Sequence, residues 1–306
     1  MKKHIILTVV LLFIVVGVCQ AAMNVQNPQN NAQLEVVVSI LPQKAFVEAV
    51  GGHLVNVKAL IPPGGSPATY EPKPGDLANI EKADIYFKIG YIPFEKSHAG
   101  KFANLNPNMK IIDTSKNVKL RYFGHDEEHN HEQEEHHAKK EEELKRIDPH
   151  IWLSPIQVKK QIDIIREALS QENPQNAEIY QRNAEKYKTQ LDHLHTDLTE
   201  KFEELKTDKL MVFHPAWGYF ADAYQLKQIA IEQEGKEPTA KQLQEIIDLA
   251  KEKNIRVIFV QAQFNKEIAQ SIADQIGAAV IPIDPLSEDY LNNLKAVATQ
   301  IVESLK

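Results

Sequence analysis

The sequence predicts an α/β protein of two lobes with mostly parallel sheets, joined by one long helix. Two observations carry this. Short β-branched runs alternate with helical patterns in both halves of the chain, the rhythm of βα units. Between the halves lies a single apolar stripe: Tyr180, Ala184, Tyr187, Leu191, Leu194, Leu198, Phe202 and Leu205 recur at steps of three and four, the period of one helix face.

In order along the chain, residues 34–41 (LEVVVSIL) read as a strand ended by Pro42, and Gln43 to Val50 as a helix closed by Gly51-Gly52. Val55 to Ile61 is a second strand, followed by a Pro/Gly-rich loop from Pro62 to Pro67. Asp76 to Lys82 reads as a helix, Ala83 to Ile89 as a strand and Lys110 to Asp113 as another. Ile156 to Leu169 is helical, and the long helix starts near Pro174. The βα rhythm then returns: strands at Lys209–Phe213, Leu226–Ile231, Ile255–Val260 and Ala279–Ile283, and helices at Thr239–Lys253, Lys266–Ile276 and Tyr290–Leu305. Each half is therefore a Rossmann-like lobe. The boundaries expected are 32–172 for the first lobe, 173–206 for the bridging helix and 207–306 for the second lobe.

The N-terminus has the layout of a secretory signal. Met1-Lys2-Lys3-His4 is basic, Ile5 to Val18 is almost wholly apolar, and Cys19-Gln20-Ala21-Ala22 offers a cleavage site, so residues 1–21 are expected to be removed. The apolar run is short for a membrane span. Cys19, the only cysteine, is a candidate lipid anchor, although Val18 before it is not the small residue such signals favour. Without Cys19 the mature chain has no thiolate, so a metal would be held by His, Asp, Glu and water. The net charge of -7 argues against a nucleic-acid partner.

Residues 125–143 (HDEEHNHEQEEHHAKKEEE) carry five histidines and nine acidic residues, and no large apolar side chain. This tract, within an expected disordered loop at 124–146, cannot build a core. His125, His129, His131, His136 and His137 can bind divalent metal loosely, with the carboxylates adding charge. The bland alternative is a solvated acidic loop.

Ligands of parallel α/β sheets bind beyond the carboxyl ends of strands. Three such ends carry metal-ligating side chains, each next to a proline: His150 in Asp148-Pro149-His150, His214 in Phe213-His214-Pro215, and Asp284 in Asp284-Pro285. A stiff backbone at a strand end is how a ligand is fixed in advance. A lone histidine in this setting is more often a loop residue satisfied by its neighbours; His150, His214 and Asp284 together, each at a strand or loop end beside a proline, reverse that weighting.

The segments YEPKPGDL, DPHIWLSP, FHPAWGYFADAY and IDPLSEDYLNNL resemble those of the metal-specific substrate-binding proteins of bacterial ABC importers, in the zinc-uptake branch. The resemblance spans residue 34 to the C-terminus. It implies two α/β lobes on a rigid helix, capture of divalent metal outside the cytoplasm, and delivery to a cognate ABC permease by a monomer without enzymatic activity. It also implies metal ligation by His150, His214 and Asp284. Manganese-type members have Glu where His214 stands, so the second imidazole favours Zn²⁺ over Mn²⁺ or Fe²⁺. An acidic, histidine-rich loop before the Asp-Pro-His segment is typical of the zinc type.

The family's usual fourth ligand is a histidine at the position of Ala68. Alanine cannot coordinate, so water, an imidazole from the tract, or Glu71 or Gln261 would fill that place. Two competing functions remain open at this level: a zinc hydrolase using the open position, against which the absence of an HExxH motif argues, and an adhesin on the same fold. His53, His98, His193 and His195 are expected at the surface.

Overall fold

The computed structural model describes residues 33–123, 146–232, 238–264 and 266–306. The signal segment with Cys19, and the five histidines of the tract, lie outside the described residues.

The first sheet is built from β1 (Leu34–Val38), β2 (Val55–Ala59), β3 (Ile85–Lys88) and β4 (Lys110–Asp113), in the order β2-β1-β3-β4 with every pairing parallel. β1 is central, and Val36, Val37 and Val38 are buried, as expected of a strand covered on both faces. Its helices are α1 (Leu41–Gly51), α2 (Pro74–Lys82) and α3 (Pro93–Leu105). Each has a proline in its first turn, where the missing N–H costs nothing. α1 stops at Gly52, whose φ of 56° lies in the left-handed region that glycine tolerates. Asp76 closes the start of α2 by accepting the Lys73 N–H and the Tyr70 hydroxyl, both at 2.8 Å.

The strands predicted from sequence are all present; Lys110–Asp113 has the predicted bounds and the others are each a little shorter than their apolar runs. α3 was not predicted. Its inward positions 94, 98 and 102 have helical spacing, but one is a histidine and its buried neighbour Glu95 is an acidic residue, so the stripe does not read as apolar. His98 is accordingly corrected from a surface residue to a buried one, packed between Phe94 and Phe102.

α4 (Pro155–Glu172) leads through a 3₁₀ turn at Pro174–Asn176 into the long helix α5 (Ala177–Phe202). Its 26 residues span about 39 Å at 1.5 Å per residue. Seven of the eight stripe residues, Tyr180 to Phe202, are its buried face; Leu205 falls just beyond its end. That face packs on α1, α4 and the C-terminal helix α9 (Tyr290–Leu305).

The second sheet comprises β5 (Lys209–Val212), β6 (Lys227–Ala230), β7 (Val257–Val260) and β8 (Ala279–Pro282), in the parallel order β6-β5-β7-β8. Its helices are α6 (Gly218–Ala223), which sequence reading left as loop, α7 (Ala240–Glu252) and α8 (Lys266–Ile276). One continuous core joins the first lobe, α5, α9 and the inner face of the second sheet. Phe46 of α1 meets Tyr290 of α9 edge-on at 4.9 Å between ring centroids, and Lys44 pairs with Glu288. A second, smaller core lies between the outer face of the second sheet and α7 and α8. Among the described residues no helix is long and apolar enough to cross a membrane.

Candidate metal centre

His150 follows a short stem. Tyr122 and Ile147 form an antiparallel bridge, the Phe123 N–H donates to the Arg146 carbonyl at 2.8 Å, and the Asp148 N–H donates to the Arg121 carbonyl at 2.8 Å. Asp148 is fully buried. Its Oδ1 accepts both the His150 N–H, at 3.0 Å, and the His150 ring at Nδ1, at 2.8 Å. Its Oδ2 takes the Arg121 guanidinium at 3.2 Å. Beyond His150 a 3₁₀ turn, Ile151–Leu153, is wholly buried, and the Trp152 indole N–H donates to the Pro285 carbonyl at 2.7 Å.

His214 lies two residues beyond β5 and is held from farther away in the chain. The Gln261 side chain brackets its peptide: Oε1 accepts the His214 N–H at 3.3 Å, and Nε2 donates to the His214 carbonyl at 3.0 Å. Its Nδ1 meets Glu232 Oε2 at 2.7 Å. Glu232 follows β6, is 5% exposed, and is anchored by its own N–H on the Phe213 carbonyl. The ring stacks on Phe264 at 4.4 Å and 16°.

Each imidazole thus has its Nδ1 on a buried carboxylate. The proton belongs on Nδ1, which leaves Nε2 with a free lone pair, the tautomer of a metal-ligating histidine. The two Nε2 atoms face each other at 3.3 Å. With neither carrying a proton, this is not a hydrogen bond but two lone pairs aimed at one point. Burial lowers the His150 pKa from its usual value, partly offset by Asp148, which keeps the ring neutral and able to ligate. Two nitrogens each about 2.0–2.1 Å from a tetrahedral Zn²⁺ sit roughly 3.3 Å apart, so the spacing fits that ion.

Of the residues singled out from sequence, the structure brings His150 and His214 together. Asp284 lies just past β8; its Oδ1 accepts the Leu286 N–H at 2.8 Å and its carbonyl accepts Asn293 Nδ2 at 2.7 Å. Among the described residues no three His, Cys, Asp or Glu side chains stand close enough to hold one metal, so Asp284 does not join the pair. Glu71 is largely exposed, with its carboxylate 3.4 Å from His98 Nε2. Gln261 has both polar atoms on the His214 backbone. Ala68 is exposed. The residues that sequence reading missed are the two carboxylates. Asp148 had a local signal, since an aspartate two residues before a histidine can turn back to its N–H and ring. Glu232 had none.

The fold and this pair of imidazoles define a class: a two-lobed α/β receptor with a candidate cation site. The family model described as "Zinc-uptake complex component A periplasmic" matches residues 36–304, and the chain belongs to that family. The high-affinity zinc uptake system protein ZnuA of Bacillus subtilis is 31% identical over 253 residues, 80% of this chain and 76% of that protein. A crystal structure of ZnuA superposes with a TM-score of 0.81 at 38% identity, covering 90% of this chain and 100% of that one. The laminin-binding protein Lmb of Streptococcus agalactiae, described as bifunctional with adhesin and metal transporting activity, gives 0.74 at 26% identity over 89% and 99% of the two chains. The protein is an extracytoplasmic solute-binding component of zinc uptake and not an enzyme, which removes the hydrolase alternative.

Proposed function

We propose that this chain captures one Zn²⁺ between His150 Nε2 and His214 Nε2, and passes it as a monomer to the ABC permease of its uptake system. The observation that carries the reading is the 3.3 Å between two nitrogens whose rings are both fixed by carboxylates. Zn²⁺ prefers such nitrogen donors in a tetrahedral set, whereas Mn²⁺ favours more oxygen ligands.

Asp284 is the candidate third ligand. Its Oδ1 holds the Leu286 N–H, and a modest turn of the carboxyl would bring an oxygen to the ion as it binds. The Trp152–Pro285 hydrogen bond supports this, because it ties the His150 segment to the residue after Asp284. Water fills the place that Ala68 leaves open. The tract at 125–143, which precedes His150 in the chain, collects metal. Residues 1–21 act as the export signal; processing before Cys19 instead would leave that cysteine as a lipid anchor.

Equilibrium dialysis of the mature protein with metal analysis tests the core claim. The His150→Ala/His214→Ala double variant should lose stoichiometric tight zinc binding. Unchanged stoichiometry and affinity in that variant would sink the assignment. Deleting residues 125–143 should remove the weak sites and leave one tight site.

A further inference from the structure

We propose that Arg121 is the positioning residue that sets the distance between the two zinc-binding imidazoles, because it sits where the chain segments carrying His150 and His214 meet. The inference rests on the reading that these two histidines hold the ion. Arg121 belongs to the first lobe, one residue before the bridge that closes the stem. Its contacts go two ways.

Toward His150, its Nη1 reaches Asp148 Oδ2 at 3.2 Å and its carbonyl accepts the Asp148 N–H at 2.8 Å. Asp148 in turn holds His150 by backbone and ring through Oδ1. Toward His214, every partner lies on α6, four to eight residues beyond that histidine. The Arg121 N–H donates to the Tyr219 hydroxyl at 2.8 Å, and its Nε to Asp222 Oδ2 at 3.1 Å. The guanidinium and the Asp148 carboxylate also rest directly on Gly218. A Cβ there would come within 2.5 Å of Arg121 Nη1 and 2.6 Å of Asp148 Oδ2.

These contacts differ in weight. The Asp222 carboxylate is 60% exposed, so that ion pair is worth little. The Asp148 carboxylate is completely buried, and a buried carboxylate deprived of its cation cannot keep its place cheaply. Arg121 suits the role because its planar fork addresses Asp148 and Asp222 with different nitrogens; a lysine ammonium is a single point charge. With the pair seated on Gly218 and its backbone pinned to Tyr219, a shift of α6 moves Asp148, and with it His150. The spacing that suits tetrahedral Zn²⁺ is thereby held from both sides at one residue.

The test measures zinc release to a competing chelator by stopped flow, together with the visible spectrum of the Co²⁺-loaded protein, which reports coordination geometry. Arg121→Ala should speed zinc release about tenfold, the low end of what outer partners of metal ligands contribute, and weaken the tetrahedral Co²⁺ bands. Arg121→Lys should restore part of both. Tyr219→Phe, which keeps every charge, should shift both in the same direction by less, and covers the case in which Arg121→Ala does not fold. A lowered melting temperature of the metal-free protein with release rate and Co²⁺ spectrum unchanged would overturn the proposal. Tight binding that survives His150→Ala and His214→Ala would instead overturn the ligand assignment beneath it.

Discussion

The two halves of the candidate metal centre orient their imidazoles by opposite routes. His150 is held by a residue two positions away: Asp148 takes both its N–H and its ring. His214 is held by residues 18 and 47 positions away, with Glu232 on its ring and Gln261 around its peptide. His150 also sits against the large continuous core, with Ile151, Trp152 and Leu153 buried in it. Phe213, next to His214, belongs to the smaller core under α7 and α8. A ligand can thus be oriented by a local turn or by the convergence of three strand ends. The local route concentrates several duties on one carboxylate, and the convergent route divides them.

The largest effect should come from that concentration. Asp148→Asn removes the charge that faces Arg121 and weakens the hold on ring and backbone together. It should lower zinc affinity by about 100-fold, and Glu232→Gln, which weakens only the ring contact, by about 10-fold; these bracket the usual range for such partners. Competition with a chromogenic chelator measures both. Equal losses would show that the backbone bond of Asp148 adds nothing. Phe264→Leu removes the stacked ring from His214 but no hydrogen bond. Its cost should be smaller still, a few-fold in affinity at about 0.5–1 kcal/mol, and a loss as large as that of Glu232→Gln would mean that stacking, not the carboxylate, orients the ring.

The first lobe has a further polar cluster that should appear in stability rather than in affinity. Glu95 is buried at the carboxyl ends of β1 and β3. It accepts the Ser39 hydroxyl, the Ile89 N–H at 2.7 Å and the Gly90 N–H at 2.6 Å. Gln43, Thr114 and Gln161 extend the cluster to the Ile151 carbonyl beside His150. Burial pushes the Glu95 pKa up from 4.5 to about 7, against the lowering effect of those hydrogen bonds. The folded state therefore holds this proton more tightly than the unfolded chain. Stability from this group is fully present below about 4.5 and is lost as pH rises through about 7, on the order of 3 kcal/mol in total. Melting curves of the metal-free protein check this: relative to wild type, Glu95→Gln should fare better as pH rises from 5 to 8. A constant offset between the two would show that Glu95 is ionised throughout.

Much of the fold was legible because its signals are local. Alternating short strands and helices, prolines in first turns, and the three-four spacing of α5 are properties of neighbouring residues. α3 and α6 escaped for a physical reason: the inward side of α3 carries Glu95 and His98, and α6 is only six residues long within a segment that reads as a ligand loop. The candidate pair could be singled out for the same reason as the strands, since His150 and His214 stand beside prolines at segment ends. Glu232 lies in a stretch with no motif, so nothing announced it.

By itself, then, the sequence determined the alternation of elements, the long bridging helix, and the proline-flanked segments that carry His150 and His214. The tertiary structure decided the strand orders β2-β1-β3-β4 and β6-β5-β7-β8, and the 3.3 Å between His150 and His214. It also decided that Glu232, Gln261 and Arg121 hold those residues in place. Periodicity records how a segment meets solvent and core over a few residues. Strand order and the partners of a ligand depend on crossovers that bring together residues tens of positions apart, and no local pattern encodes which of them will meet.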